Sequence, residues 1–483
     1  MGQDTGMESK GKSVFAISEQ ELSKLDADRR SLDLAVVHLT FEGIQIFGGG
    51  VCTVTRGHLE ALGNLRDKLR PRGVFLTPYF LEIAYAPDHP RRDPRYEEYA
   101  RRKVADMGGE IAYLTNYSVG DEPFTKWGVK DLGPVENWKH ACASGAALAL
   151  NYARRHQAAV IYCHDCVYAL AALYAALEAD AYGADIRAIY VVHSTALTHE
   201  LPLPNPDRLM AESVAMHWPK VSPRVRIGYI SEFIRGHLVA DYGVRLEHTV
   251  PTGNGLNPDD PHFRLRSEEE IVAKLRNYGI PLDKPLMVAW GRAVAYKRFD
   301  VVMKAAAQLQ GAVHAVVIVS PRSEELLQLK DQLGLDMSLI FAFDAELVAC
   351  LLQWKNTVAV PILAYLEPCG LTPMEARMQA RRQGPLVITS DTGGLPEQIA
   401  HGVDGFITRQ DDAAHVADTV RTIMGMSVGE KEKIRKAGFE RILRQYTWRS
   451  QILTTLAALC PHVRLVAEEV RNECVREELQ ALQ

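Results

Sequence analysis

No apolar run in the 483 residues is long enough to cross a bilayer, and residues 1–30 carry no apolar core of the secretory kind. The expectation is a cytoplasmic protein with a polar leader. An excess of one charge is also missing: 55 Lys+Arg against 60 Asp+Glu leave a net charge of −5, which argues against a general role on nucleic acid or other polyanions. Paired cysteine motifs are lacking as well. Of the eight cysteines only Cys163 and Cys166 form a CxxC; a zinc site would need a second pair at matching spacing, and a redox motif is the lesser alternative. The glycine run 48–50 does not spell G-x-G-x-x-G, so a dinucleotide site is not indicated. Asp26-Ala27-Asp28 lies in the polar leader, away from any strand end, and reads as surface; no metal and no cofactor are expected.

What is present is a soluble α/β pattern. Hydrophobic residues make up 47% and charged residues 24%, and the length calls for two domains of roughly 200–250 residues. Apolar runs alternate with amphipathic segments from residue 32 onward. This predicts two doubly wound parallel sheets, in which ligands bind at the carboxyl ends of strands.

Residues 366–376, Leu-Glu-Pro-Cys-Gly-Leu-Thr-Pro-Met-Glu-Ala, follow a predicted buried strand at 358–364. Glu367 falls in a turn and Glu375 about one turn into a helix, whose free N–H groups and dipole suit an anionic or polyhydroxylated ligand. Upstream, the predicted strand 286–290 ends in Gly291-Arg292, with Lys297 five positions on. Two cations just past a strand end can clamp a diphosphate. In the first half, strand 32–39 leads through Phe47-Gly48-Gly49-Gly50 into an amphipathic helix near 52–65, the grammar of a phosphate cradle. Two further predicted strands end in His164-Asp165 and His193-Ser194-Thr195.

Gly-Arg-x4-Lys, then Glu-x7-Glu, then Thr392-Gly393-Gly394-Leu395-Pro396-Glu397 resembles the retaining GT-B glycosyltransferases. Glu-Pro-Cys-Gly-Leu-Thr is similar to the glycogen and starch synthase branch, and the remainder to the sucrose-synthase-like branch. The resemblance implies a GT-B fold, two Rossmann-like domains facing each other across a cleft. Residues 31–253 would form the acceptor-side domain and 254–445 the donor domain, while 446–483 would cross back as a helical segment. It implies that Arg292 and Lys297 hold the donor diphosphate, Glu367 the sugar hydroxyls and Glu375 the ribose, with His164 touching the sugar from the first domain. Gly48, Gly49, Gly50, His193, Phe343, Cys369, Gly370, Leu371 and Thr372 fall where the family surrounds its donor. A lysine that glycogen synthases carry before the glycine loop is replaced here by Ile46-Phe47.

The expected activity is metal-independent, retaining transfer of a sugar from a nucleotide sugar, which is a substrate, to a hydroxyl of a carbohydrate or small molecule. Alternatives are a pseudo-glycosyltransferase acting on a nucleotide-linked cyclitol, a glucan-extending enzyme of the glycogen synthase type, and a non-catalytic nucleotide-sugar binding protein. The last would not need a histidine in the cleft. A GT-B epimerase would share the frame, but Glu-x7-Glu points to transfer. A glycosidase reading of Glu367 and Glu375 leaves the two cations without a purpose. No membrane or nucleic-acid partner is expected.

Overall fold

The computed structural model describes residues 31–47, 50–114, 135–199 and 203–481. Thirteen strands among them form two parallel sheets. The first holds β1 (Leu32–Thr40), β2 (Val74–Ile83), β3 (Glu110–Leu114), β4 (Ala158–His164), β5 (Asp185–Val192), β6 (Val225–Tyr229) and β7 (Thr249–Pro251) in the order β3-β2-β1-β4-β5-β6-β7. The second holds β8 (Leu286–Arg292), β9 (His314–Ser320), β10 (Met337–Ile340), β11 (Thr357–Ile362), β12 (Leu386–Ser390) and β13 (Phe406–Thr408) in the order β10-β9-β8-β11-β12-β13. Every pairing between them is parallel, as continuous apolar strands such as the wholly buried β4 require when helices cover both faces. The expected pair of doubly wound α/β sheets is therefore present. Strand order reverses between β1 and β4 and again between β8 and β11, and those two crevices are where such sheets bind ligands.

The lobes meet at the carboxyl edges of their sheets. Ser231, just past β6, donates its hydroxyl to the Pro368 carbonyl at 2.5 Å. Glu397 of the second lobe accepts the amides of Glu232 and Phe233 at 2.7 and 2.5 Å, capping the first-lobe helix Glu232–Tyr242. Gly393, at φ +62, lets its loop lie against the Glu367 backbone, where a Cβ would come within 2.3 Å of a carbonyl oxygen.

Residues after 445 return to the first lobe. The Leu256 amide donates to the Tyr446 carbonyl and the Trp448 amide to the Leu256 carbonyl, and Trp448 packs its indole onto Gly57 of the helix Gly50–Leu69. Ile452, Leu453, Leu456, Val463 and Val470 complete the same core as β1 and β2, each burial worth about 1.5–3 kcal/mol. This segment is two helices, Trp448–Leu459 and Pro461–Ala481. Pro461 suits a first helical position but has no N–H to continue the preceding ladder. Between β2 and β3 lie a loop and the helix Pro94–Asp106, which Asp93 caps by accepting the Tyr96 amide. Residues 395–400 form only the single turn Pro396–Gln398, with the Gln398 side chain donating to the carbonyls of Cys369 and Gly370.

Candidate active site

The second-lobe crevice gathers the charged residues. Arg292 is the last residue of β8 and Lys297 ends the short turn Ala295–Lys297. Lys297 Nζ is ion-paired with Glu367, which follows β11, and both side chains are largely buried. Arg292 is exposed and donates only to the Tyr296 hydroxyl, at 2.8 Å; among the described residues no carboxylate pairs with it. Tyr296 is fixed in turn by its carbonyl, which accepts the Tyr365 amide at 2.7 Å.

Glu375 lies in the first turn of the helix Thr372–Gln379 and is partly buried. Its carboxyl has no hydrogen-bond partner among the described residues. Burial pushes its pKa up to about 7 against the pull of the Lys297 ammonium, with Asp260 adding to the rise. The amides of Gly370, Leu371 and Thr372, at the start of the same helix, have no acceptor among the described residues. One acid is thus paired with one cation, while a second acid, a second cation and a helix start stand open beside them. Charges and free amides so arranged suit an anion carrying hydroxyl groups.

Across the cleft, His164 ends β4 but is not open. It is 0% exposed, and both ring nitrogens are engaged: Nε2 with His38 Nδ1 and Nδ1 with His193 Nε2, each at 3.0 Å. Burial holds His164 neutral, far below the usual histidine range, lowers His193, and takes His38 to about 3. His193, the next ring in the row, is partly buried rather than fully enclosed. The expected contact of His164 with a sugar is therefore not made available by this arrangement. The sheet turns its ring inward among His38, Tyr162 and His58.

A nitrogen from each of His38, His58 and His164 lies within 4.8 Å of the other two, a spacing relevant to a metal ion. His38 Nδ1 and His164 Nε2, however, close on each other in rings only 21° apart, the geometry of an N–H···N bond rather than of lone pairs converging on a third point.

Backbone strain marks the same two places. The non-glycine residues at positive φ are Asp165 (φ 62) and Arg298 (φ 50) among the described residues, immediately after His164 and Lys297. Asp165, at ψ 179, occupies a region that costs a side-chain-bearing residue about 1–3 kcal/mol and tends to mark functional turns.

The other expected positions fall as follows. Gly48 and Gly49 lie outside the described residues; Gly50 is exposed and opens its helix. Phe343 is 58% exposed in the loop after β10. The Cys369 side chain is buried, its thiol pushed up to about 12, so only its backbone faces the loop. Asp26, Asp28 and the rest of the leader lie outside the described residues. Sequence reasoning missed His38, Tyr296 and Glu397 as partners of the site. His38 near the carboxyl end of β1 carried a visible signal, since strand ends at a reversal of order are where ligands lie. A cavity of about 620 Å³ opens between the lobes, lined by Thr198, Phe233, His237, Asp241 and Leu366 among others. His237 is held there between Thr195 Oγ1 at 2.8 Å and Asp241 at 2.5 Å.

Residues 272–441 match the family described as Glycosyl transferases group 1. The D-inositol 3-phosphate glycosyltransferase of Mycobacterium tuberculosis is 27% identical over 198 residues, 39% of this chain and 39% of that protein, so the matched region spans about two fifths of each. In overall fold the chain is similar to a glycosyltransferase from Rickettsia africae (TM-score 0.59, 15% identity, 92% of this chain and 99% of the other). It is also similar to Anabaena HepE solved with UDP and glucose (0.60, 16%, 88% and 99%) and to sucrose-phosphate synthase of Thermosynechococcus elongatus (0.59, 15%, 91% and 98%). The fold is GT-B across both lobes, and the match to the group 1 glycosyltransferases lies in the second.

Proposed function

We propose that this protein is a retaining glycosyltransferase that moves a sugar from a nucleotide diphosphate to a hydroxyl of a carbohydrate or small molecule. The observation that carries the reading is the second-lobe crevice: Lys297 paired with Glu367, and, among the described residues, Arg292 and Glu375 without a charged partner beside free helix amides. Breaking the anomeric C–O bond puts negative charge on the diphosphate and positive charge on the ring. Arg292 and Lys297 stabilise the first through cations already in position; Glu367, beside Lys297, accepts from sugar hydroxyls and offsets the second. Glu375 accepts from the ribose hydroxyls. The departing phosphate oxygen takes the proton of the incoming hydroxyl on the same face, so no protein nucleophile is required and the charges balance without a metal. Activity is accordingly expected to survive EDTA, and a metal-rescued loss would refute that part.

The interlobe cavity beside Leu366 is of the size small-molecule sites have. The donor is tested by thermal shift with a panel of nucleoside diphosphates and their sugar conjugates. UDP and UDP-glucose come first because the Anabaena neighbour was solved with UDP and glucose. A ligand at a hundred times its Kd stabilises the native state by about 2.7 kcal/mol. No shift from any member of the panel would overturn the reading.

A further inference from the structure

We propose that His38, His164 and His193 form one hydrogen-bond relay of fixed direction, in which the two interior rings set the tautomer of His193. It then presents Nδ1–H as a donor to an oxygen of the bound substrate. The inference rests on the glycosyltransferase reading only for what that oxygen belongs to.

A neutral imidazole has one N–H and one lone pair, so each ring bonded at one nitrogen has its other nitrogen determined. Burial keeps all three rings neutral. The two N···N bonds, His38 Nδ1 to His164 Nε2 and His164 Nδ1 to His193 Nε2, therefore allow just two states. In the outward state every ring carries its proton on Nδ1, and donation runs from His38 to His164 to His193. In the inward state every ring carries it on Nε2 and donation runs the other way. No intermediate state keeps both bonds.

One observation chooses the outward state. His38 Nε2 is buried without a partner among the described residues, in a ring stacked between Phe80 and Tyr162 with His58 edge-on. The inward state would put an N–H there with nothing to receive it; the outward state leaves only a lone pair, the lesser penalty. The outward state places an N–H on His193 Nδ1, the nitrogen not engaged with His164. Among the described residues His193 Nδ1 has no acceptor, so a ligand oxygen completes the chain. His38 and His164 are positioning residues; His193 is the group that would touch substrate.

The test is tautomer assignment by two-bond 1H–15N correlation on full-length protein labelled with 15N-histidine, with signals assigned from single substitutions. The ligand-free protein should show His193 protonated at Nδ1 and bare at Nε2. His38→Phe removes the first donor, and the His193 signal should move toward the other tautomer. His38→Asn, whose side-chain N–H sits near the position of Nδ1, should restore it. In transfer assays, His38→Phe should lower kcat about tenfold, equivalent to about 1.4 kcal/mol, with KM for the donor within about twofold. His38→Asn should recover most of the loss. A wild-type His193 protonated at Nε2 would overturn the relay. So would unchanged tautomers in His38→Phe, or a folded His38→Asn that behaves like His38→Phe. Zinc retained at one equivalent and lost on His58→Ala would overturn it too, because a shared metal replaces the N–H···N bond. The spectra need no turnover, so the relay and the glycosyltransferase reading fail separately.

Discussion

Glu375→Gln should make the ligand-free protein more stable and worse at holding its donor. The wild-type carboxyl ionises near pH 7 in the fold and near 4.5 when unfolded. Between those values the native state holds the proton and the unfolded state does not. The contribution is therefore fully present below 4.5 and is lost as pH rises through 7. At pH 8 the cost of ionising Glu375 in place approaches about 3 kcal/mol, taken as an upper bound because the side chain keeps some contact with water; at pH 5 it is under about 1 kcal/mol. Glutamine has the same shape and no charge to desolvate. Thermal melts should place Glu375→Gln above wild type at pH 8, on the order of 5 °C if the second lobe unfolds as a unit, and close to it at pH 5. Adding a nucleoside diphosphate should reverse the order of benefit: the wild type gains more, since an ionised carboxylate accepts ribose hydroxyls more strongly than an amide. Equal melting at both pH values would refute the raised ionisation. An equal ligand shift in the two proteins would refute the ribose role.

Four other outcomes follow from the geometry. Arg292→Ala should cost transfer about 100-fold or more with stability changed by less than about 0.5 kcal/mol, since an exposed guanidinium holding one tyrosine hydroxyl does little for the fold; wild-type kcat would refute the clamp. Lys297→Ala should lose similar activity and also about 1–3 kcal/mol, because it strands Glu367, as chemical denaturation would report. Glu397→Ala removes an acceptor shared by two amides of the opposite lobe and should cost about 1–2 kcal/mol; small-angle scattering should also find a wider spread of lobe separations. Gly57→Ala would set a Cβ 2.2 Å from Trp448 Nε1 and should lower the melting temperature, with quantum yield or emission of Trp448 altered; an unshifted melt would mean the indole moves freely.

Strand runs, the cations after β8 and the acids around β11 were legible in the sequence because each is a local pattern read at one strand end. The direction of a side chain at such an end was not. His164 stands where a substrate-facing histidine was expected, yet its partners His38 and His193 lie 126 and 29 residues away, and only the sheet brings them together. Glu397 illustrates the same limit. Its place after the glycine pair was visible, while its function as a cap on Glu232–Tyr242 depends on how the two lobes face each other. The strained backbone at Asp165 left no trace either, since aspartate at that position breaks the usual preference for glycine.

Trp448 and the helices after it fill the hydrophobic interior of the lobe made from residues 32–251. During synthesis that lobe emerges from the ribosome with Gly57 and its neighbours facing an empty groove, and it stays open until the whole second lobe has been translated. A nascent chain in that condition exposes a greasy slot for as long as translation takes, which makes it a natural client for chaperones. A stalled or truncated polypeptide ending before Trp448 should be recognised and degraded even though both sheets are already encoded in it.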